Sequence, residues 1–113
     1  MADLGSAFRL DGQVALVTGA SRGIGRAILE ALAGAGATVV GTATSDTGAA
    51  AIGEALAAAG HKGRGAVLDV SKPESIDALL ADVESKEGAV TILVNNAGIT
   101  RDGLLLRMKP EDW

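Results

Sequence analysis

The 113-residue sequence contains no cysteine and a single histidine, His61. The first absence excludes disulfides and thiol chemistry, and the pair argues against a metal centre. Aromatic residues are nearly missing: one Phe, one Trp and no Tyr, 2% in all. With 48% of residues in the hydrophobic set, the core must be built from Ala, Val, Ile and Leu, which suits buried strands under close-packed helices. No apolar run reaches the ~18 residues of a membrane span. No basic block interrupts the mixture of charges either. Ten Lys and Arg are spread along a chain of net charge −4, which argues against nucleic acid or an anionic membrane as partner. The first residues, Met1-Ala2-Asp3-Leu4-Gly5-Ser6, lack the basic-then-apolar pattern of a secretion signal, so a cytoplasmic location is expected.

What is plentiful is glycine, sixteen residues placed at turns without a fixed period. They punctuate a regular alternation. After a lead-in arm ending at Asp11-Gly12, Val14 to Val17 is a continuous apolar strand of the kind buried on both faces of a parallel sheet. A helix follows, with an apolar face predicted at Ile24, Ala27, Ile28, Ala31, Leu32 and Ala35 and an end at Gly34 and Gly36. Thr38 to Thr42 is the second strand. The polar loop Thr44 to Thr47 caps a second helix, whose face is Ile52, Ala55, Leu56 and Ala59 and whose end is Gly60. Gly65 to Leu68 is the third strand. Ser71 and Glu74, with Pro73 between them, have the spacing of a capping box for a third helix bearing Ile76, Leu79, Leu80 and Val83 and ending near Gly88.

Val90 to Val94 is the fourth strand, running into Asn95-Asn96-Ala97-Gly98. The order βαβαβαβ implies right-handed crossovers and a parallel sheet of strand order 3-2-1-4. Fully apolar, the fourth strand would then lie at a bare edge, and Lys109-Pro110-Glu111-Asp112-Trp113 reads as the first turn of another helix. Both features predict that a second half of the sheet lies outside these residues.

The stretch that can carry chemistry is Thr18-Gly19-Ala20-Ser21-Arg22-Gly23-Ile24-Gly25, between the first strand and the first helix. Its spacing is neither the strict G-x-G-x-x-G nor a P-loop, but its logic is that of a diphosphate turn. Gly19 leaves the strand sharply, Gly23 admits phosphate to the backbone, and Gly25 lets helix and strand pack closely. At the end of the second strand an NAD site would offer an acid to the ribose. Here Gly41-Thr42-Ala43-Thr44-Ser45 offers none before Asp46, while Arg22 can fork onto a 2′-phosphate with Thr44 or Ser45 adding hydroxyls. NADP is therefore expected over NAD; the plain alternative is a solvated Arg22 with Asp46 capping the next helix. Asp69, ending the third strand, either accepts from an adenine amino group or simply forms a turn beside Ser71. Asn95 and Asn96 end the fourth strand in the crevice where ligands sit, able to clamp the neighbouring strand and line a ribose. His61 reads as a solvated loop residue; Arg101, Arg107 and Lys109 read as a solvated face, the alternative being contact with an anionic substrate or an acidic carrier.

Together the Thr18–Gly25 turn, Asp69-Val70 and Asn95-Asn96-Ala97-Gly98 resemble the cofactor-side motifs of the short-chain dehydrogenase/reductase family, over nearly the whole chain. Gly41 to Ser45, Gly98 to Asp102, Leu106-Arg107-Met108 and Glu111-Asp112-Trp113 resemble more narrowly its bacterial branch acting on acyl-carrier-protein thioesters. The resemblance implies an α/β, Rossmann-like doubly wound parallel sheet, of which residues 1–113 are the N-terminal part of a single NADP-binding domain. It implies NADPH-dependent reduction of a 3-oxoacyl thioester on acyl carrier protein to the 3-hydroxyacyl form in fatty acid biosynthesis, by a homo-oligomer, usually a tetramer. The alternatives are another ketone or alcohol oxidoreductase of the family, or a non-catalytic NADP-binding module. Cofactor contacts are implied at Gly19, Ser21, Arg22, Gly23, Ile24, Gly25, Thr44, Asp69, Val70, Asn96, Ala97 and Gly98. The family's catalytic group is an Asn, a Ser and a Tyr-x-x-x-Lys pair. With no tyrosine present, no catalytic residue carries over, and this chain alone is expected to be inactive.

Overall fold

A computed structural model describes residues 9–69 and 71–96 of the chain, together with the backbone of 105–108. Strand β1 (Val14–Val17) is followed by α1 (Gly23–Gly34), β2 (Thr38–Ala43), α2 (Asp46–Ala58), β3 (Gly63–Val67), α3 (Pro73–Lys86), β4 (Ile92–Asn95) and β5 (Leu105–Met108). All four residues of β1 are buried, because helices cover both faces of a central parallel strand. The sheet order is β3-β2-β1-β4-β5. The first four strands run parallel in the expected order. The expected bare edge at β4 is not found: β5 pairs with it antiparallel, from Ile92 opposite Met108 to Asn95 opposite Leu105. That pairing satisfies backbone groups an apolar edge strand would otherwise leave open. The helix expected at 109–113 lies outside the described residues.

The aliphatic composition splits into two layers of core. Ala15, Val17, Val39, Ala43, Ile92 and Val94 meet Leu29 and Ala33 of α1 and Ile52 and Leu56 of α2 on one face of the sheet. Val14, Leu16, Val40, Leu68 and Val90 meet Leu79 and Val83 of α3 on the other. This is the doubly wound α/β arrangement expected from the alternation of strands and helices. Among the described residues no helix is long and apolar enough to cross a membrane.

Two local expectations are corrected. The buried face of α1 is Gly25, Leu29 and Ala33, with Ile28 and Leu32 packed beside it; Ile24, Ala27 and Ala31 point outward, Ile24 at 66% exposure. The helix is thus turned by about one residue, roughly 100°, from the predicted phase. Apolar residues occupy nearly every side of it, so their spacing does not select a face. Close packing does: a Cβ at Gly41 of β2 would stand 3.0 Å from Ala20 and 3.1 Å from Leu29, so Leu29 fills the space a side chain there would need.

The second correction concerns α3. It begins at Pro73 with Lys72 as N-cap and has no side-chain cap. The capping box does not form, because Ser71 gives both its amide (3.0 Å) and its hydroxyl (2.6 Å) to Oδ1 of Asp69. A charged acceptor two residues away outcompetes the neutral bonds of a capping box. The cap of α2 does form as read from the polar loop: Ser45 accepts from the Gly48 amide at 3.1 Å.

Arg64 on β3 ties the end of α3 to the sheet, donating to Glu87 at 2.7 Å and to Asp82 at 2.9 Å. Hydrogen bonds, first from Arg64 and then from Lys86, hold the Asp82 carboxyl below the usual carboxylate range. A carboxyl whose folded pKa is depressed stabilises the fold above its unfolded pKa, and the contribution is lost as pH falls through the folded value. Arg64→Met keeps the packing of the stem and removes the charge. It is expected to cost about 1 kcal/mol at neutral pH, a difference that shrinks below about pH 4. Urea unfolding at both pH values checks this.

Candidate functional site

The carboxyl ends of β1, β2 and β4 meet at one turn. Gly19 turns out of β1 with φ +64°, and Gly23 opens α1 with φ +66°, conformations that suit glycine. The turn is held from both flanking strands. From β2, the buried Thr42 takes the Gly19 amide on its Oγ1 (3.1 Å) and the Ala20 amide on its carbonyl (2.8 Å). From the β4 side, Asn96 Nδ2 donates to the Gly19 carbonyl at 3.0 Å, and the Asn96 amide donates to Thr18 Oγ1 at 2.9 Å. Thr18 in turn donates to Asn95 Oδ1 at 3.1 Å. Gly25 stands against this clamp: a Cβ there would overlap the Gly19 carbonyl oxygen and lie 2.7 Å from Asn96 Nδ2.

Above the turn the helix end is open. Arg22 is the N-cap, extended at φ −163° and ψ 173°, with no side-chain cap and no acid in the first turn. The first N–H groups of α1 have no intrahelical acceptor by geometry. A Cβ at Gly23 would meet nothing within 4 Å. Uncapped donors at a positive dipole end, facing open space, fit a diphosphate group.

Arg9, Arg26 and Arg64 each pair with a carboxylate; among the described residues Arg22 pairs with none, and it is exposed. β2 ends in Thr42 and Ala43, followed by exposed Thr44 and Ser45. The next acid, Asp46, is the first residue of α2, capped by Ser45 rather than by Asp46.

A sequence model of the short chain dehydrogenase family matches residues 13–113. The chain belongs to that family. It is 61% identical over 106 residues to the 3-oxoacyl-[acyl-carrier-protein] reductase FabG of Vibrio harveyi, a match covering 94% of this chain and 42% of that protein. The FabG protein of Escherichia coli K12 is 58% identical over the same shares. That of Pseudomonas aeruginosa is 58% identical over 104 residues, 92% of this chain and 42% of its own. The chain therefore spans about two fifths of the length of these oxidoreductases.

Within this family member, Gly19, Ser21, Arg22, Gly23, Ile24, Gly25 and Asn96 of the predicted site share one turn and its clamp. Thr44 sits just past the end of β2, as expected. Asp69 is exposed past the end of β3, and its hydrogen bonds from Ser71, side chain first and then backbone, hold its carboxyl below the usual range. That is the turn-forming geometry; the second oxygen, Oδ2, takes no part in it. Val70, Ala97 and Gly98, and the expected solvated residues Arg101 and Lys109, lie outside the described residues. His61 is half-buried in the turn after α2. With Arg9, Asp11, Gly36 and Lys62 it lines a cleft of about 220 Å³ at the other end of the sheet, where α1 and α2 present their negative C-terminal ends and Arg9 is already paired with Asp11.

The residue that sequence reasoning missed is Thr42. By strand alternation it shares a sheet face with Val40, as Thr18 does with Leu16 and Asn95 with Leu93. The signal was available in principle: three apolar strands each change to a polar residue at one level. It needs the register, Val17 opposite Gly41 and Val94, to be visible.

Proposed function

We propose that this chain is the N-terminal, NADP(H)-binding part of a single Rossmann domain in a cytoplasmic reductase of 3-oxoacyl thioesters on acyl carrier protein. The observation that carries the cofactor choice is Arg22, exposed and without a carboxylate partner, at an uncapped helix end beside a β2 terminus that offers hydroxyls and no acid. When bound, the cofactor supplies a hydride. The chain's own residues bind and orient it. The first amides of α1, at Gly23, Ile24 and Gly25, hold the diphosphate, with Gly19 and Ser21 shaping the turn beneath. Arg22 and Thr44 hold the 2′-phosphate. Asp69 accepts from the adenine amino group through its second oxygen, next to Val70. Asn96, Ala97 and Gly98 line the nicotinamide side.

The substrate class, the fatty acid pathway and a tetrameric assembly rest on the likeness to reductases named for acyl-carrier-protein substrates. They are proposed for a protein with the reach of those relatives. Without a tyrosine in the sequence, the 113 residues by themselves are proposed to bind NADPH and not to oxidise it.

Calorimetric titration tests the cofactor reading. NADPH is expected to bind at least about tenfold more tightly than NADH, a difference of about 1.4 kcal/mol. Arg22→Ala is expected to remove most of that preference while leaving NADH within about twofold. Equal affinities in the wild type contradict the assignment of NADP.

A further inference from the structure

We propose that Thr42 is the positioning residue of the diphosphate turn: its buried hydroxyl sets where α1 presents its first amides, and so sets affinity for the dinucleotide. The inference rests on the cofactor reading above and adds to it a residue that does not touch the cofactor. Gly19 can adopt many backbone conformations at similar cost, so glycine alone does not fix the turn at φ +64°. A bond must select it. The Gly19 amide has that bond in Thr42 Oγ1 at 3.1 Å. The next amide, Ala20, goes to the carbonyl of the same residue at 2.8 Å. Thr42 is only 1% exposed, so water does not replace its hydroxyl when it is lost, and the Gly19 amide is left without a partner.

The displacement has a direct path to the binding end. The Gly19 carbonyl is the group that Gly25 packs against. The Gly19 amide and carbonyl lie in successive peptide planes joined at its Cα, so a change of φ at Gly19 tilts the carbonyl against Gly25, in the first turn of α1, and moves the donors. The path is short: Thr42 hydroxyl, Gly19 amide, the backbone torsion at Gly19, Gly19 carbonyl, Gly25, first helical turn. The β4 side of the clamp, Asn96 on the Gly19 carbonyl, does not hold the amide, so it cannot substitute for Thr42.

Thr42→Val keeps the shape, the β-branch and the backbone carbonyl, and removes only the hydroxyl. Amide hydrogen exchange by NMR and nucleotide titration are read on the same 113-residue chain. In Thr42→Val the Gly19 amide is expected to exchange at least about tenfold faster, and the Ala20 amide, which shares a peptide plane with the Gly19 carbonyl, to lose protection by a smaller factor. NADPH and NADH are expected to weaken by one common factor of about ten, since the diphosphate is shared. Thr42→Ser restores the hydroxyl and is expected to lie within about twofold of wild type in each readout. If Thr42→Val does not fold, Thr42→Ala against Thr42→Ser isolates the hydroxyl by the same measurements. Unchanged Gly19 protection, or unchanged affinity in folded Thr42→Val, overturns the role of Thr42 and leaves the cofactor reading standing. A wild-type chain that binds neither nucleotide overturns both.

Discussion

Gly25→Ala is expected to weaken nucleotide binding by more than about 100-fold and to destabilise the fold by about 2–3 kcal/mol. The added methyl has no free volume. It would overlap the Gly19 carbonyl oxygen, and it would lie 2.9 Å from the Gly19 carbonyl carbon and 2.7 Å from Asn96 Nδ2. Two of these three atoms are backbone, at a residue bonded on its amide side to Thr42 and on its carbonyl side to Asn96. Relief therefore requires moving α1 away from β1 or breaking the clamp, and either course shifts the amides at Gly23 and Ile24. Gly34, at the other end of the same helix, is the control, since a Cβ there would meet nothing within 4 Å. Gly34→Ala is expected to change stability by less than about 1 kcal/mol, in the stabilising direction. Urea unfolding and nucleotide titration of the two variants separate a steric effect at Gly25 from a general effect of alanine in α1.

Leu29→Ala is expected to cost about 3 kcal/mol, whereas Ile24→Ala is expected to stay within about 0.5 kcal/mol of wild-type stability. Leu29 is 1% exposed and lies over Gly41 of β2, so truncation opens a cavity in the layer between α1 and the sheet. Ile24 is 66% exposed, and shortening it removes little buried contact. The expected order reverses the one that apolar spacing alone suggests, in which Ile24 belongs to the buried face and Leu29 does not. Chemical denaturation of the pair decides between the two phases of the helix.

That reversal shows where the sequence was legible and where it was not. The continuous apolar run Val14–Val17 and the strand read at Thr38 to Thr42 identify buried parallel strands, and the handedness of βαβ crossovers then orders the four parallel strands. Helix α1 was legible as an element but not in phase, because alanines and branched aliphatics surround it. Its orientation is decided by the contact of Gly25 with Gly19, which the spacing does not express. β5 went unread because its partner is set by an edge formed elsewhere in the chain. At the site, the glycines and the asparagine clamp were legible from their types and spacing. Thr42 was not, since a threonine in a strand is equally what β-propensity alone would place there. Ser71 was assigned to the wrong bond because Asp69 competes for it, a choice that depends on charge and proximity together.

The central claim is that the turn from Gly19 to Gly25 holds a diphosphate on the first amides of α1. Titrating the isotopically labelled chain with NADP and following backbone amide shifts tests it most directly. The largest shifts are expected at Arg22, Gly23, Ile24 and Gly25. Shifts centred on Gly36 and Gly60 to Lys62 at the opposite end of the sheet, or no shifts at saturating nucleotide, would contradict it.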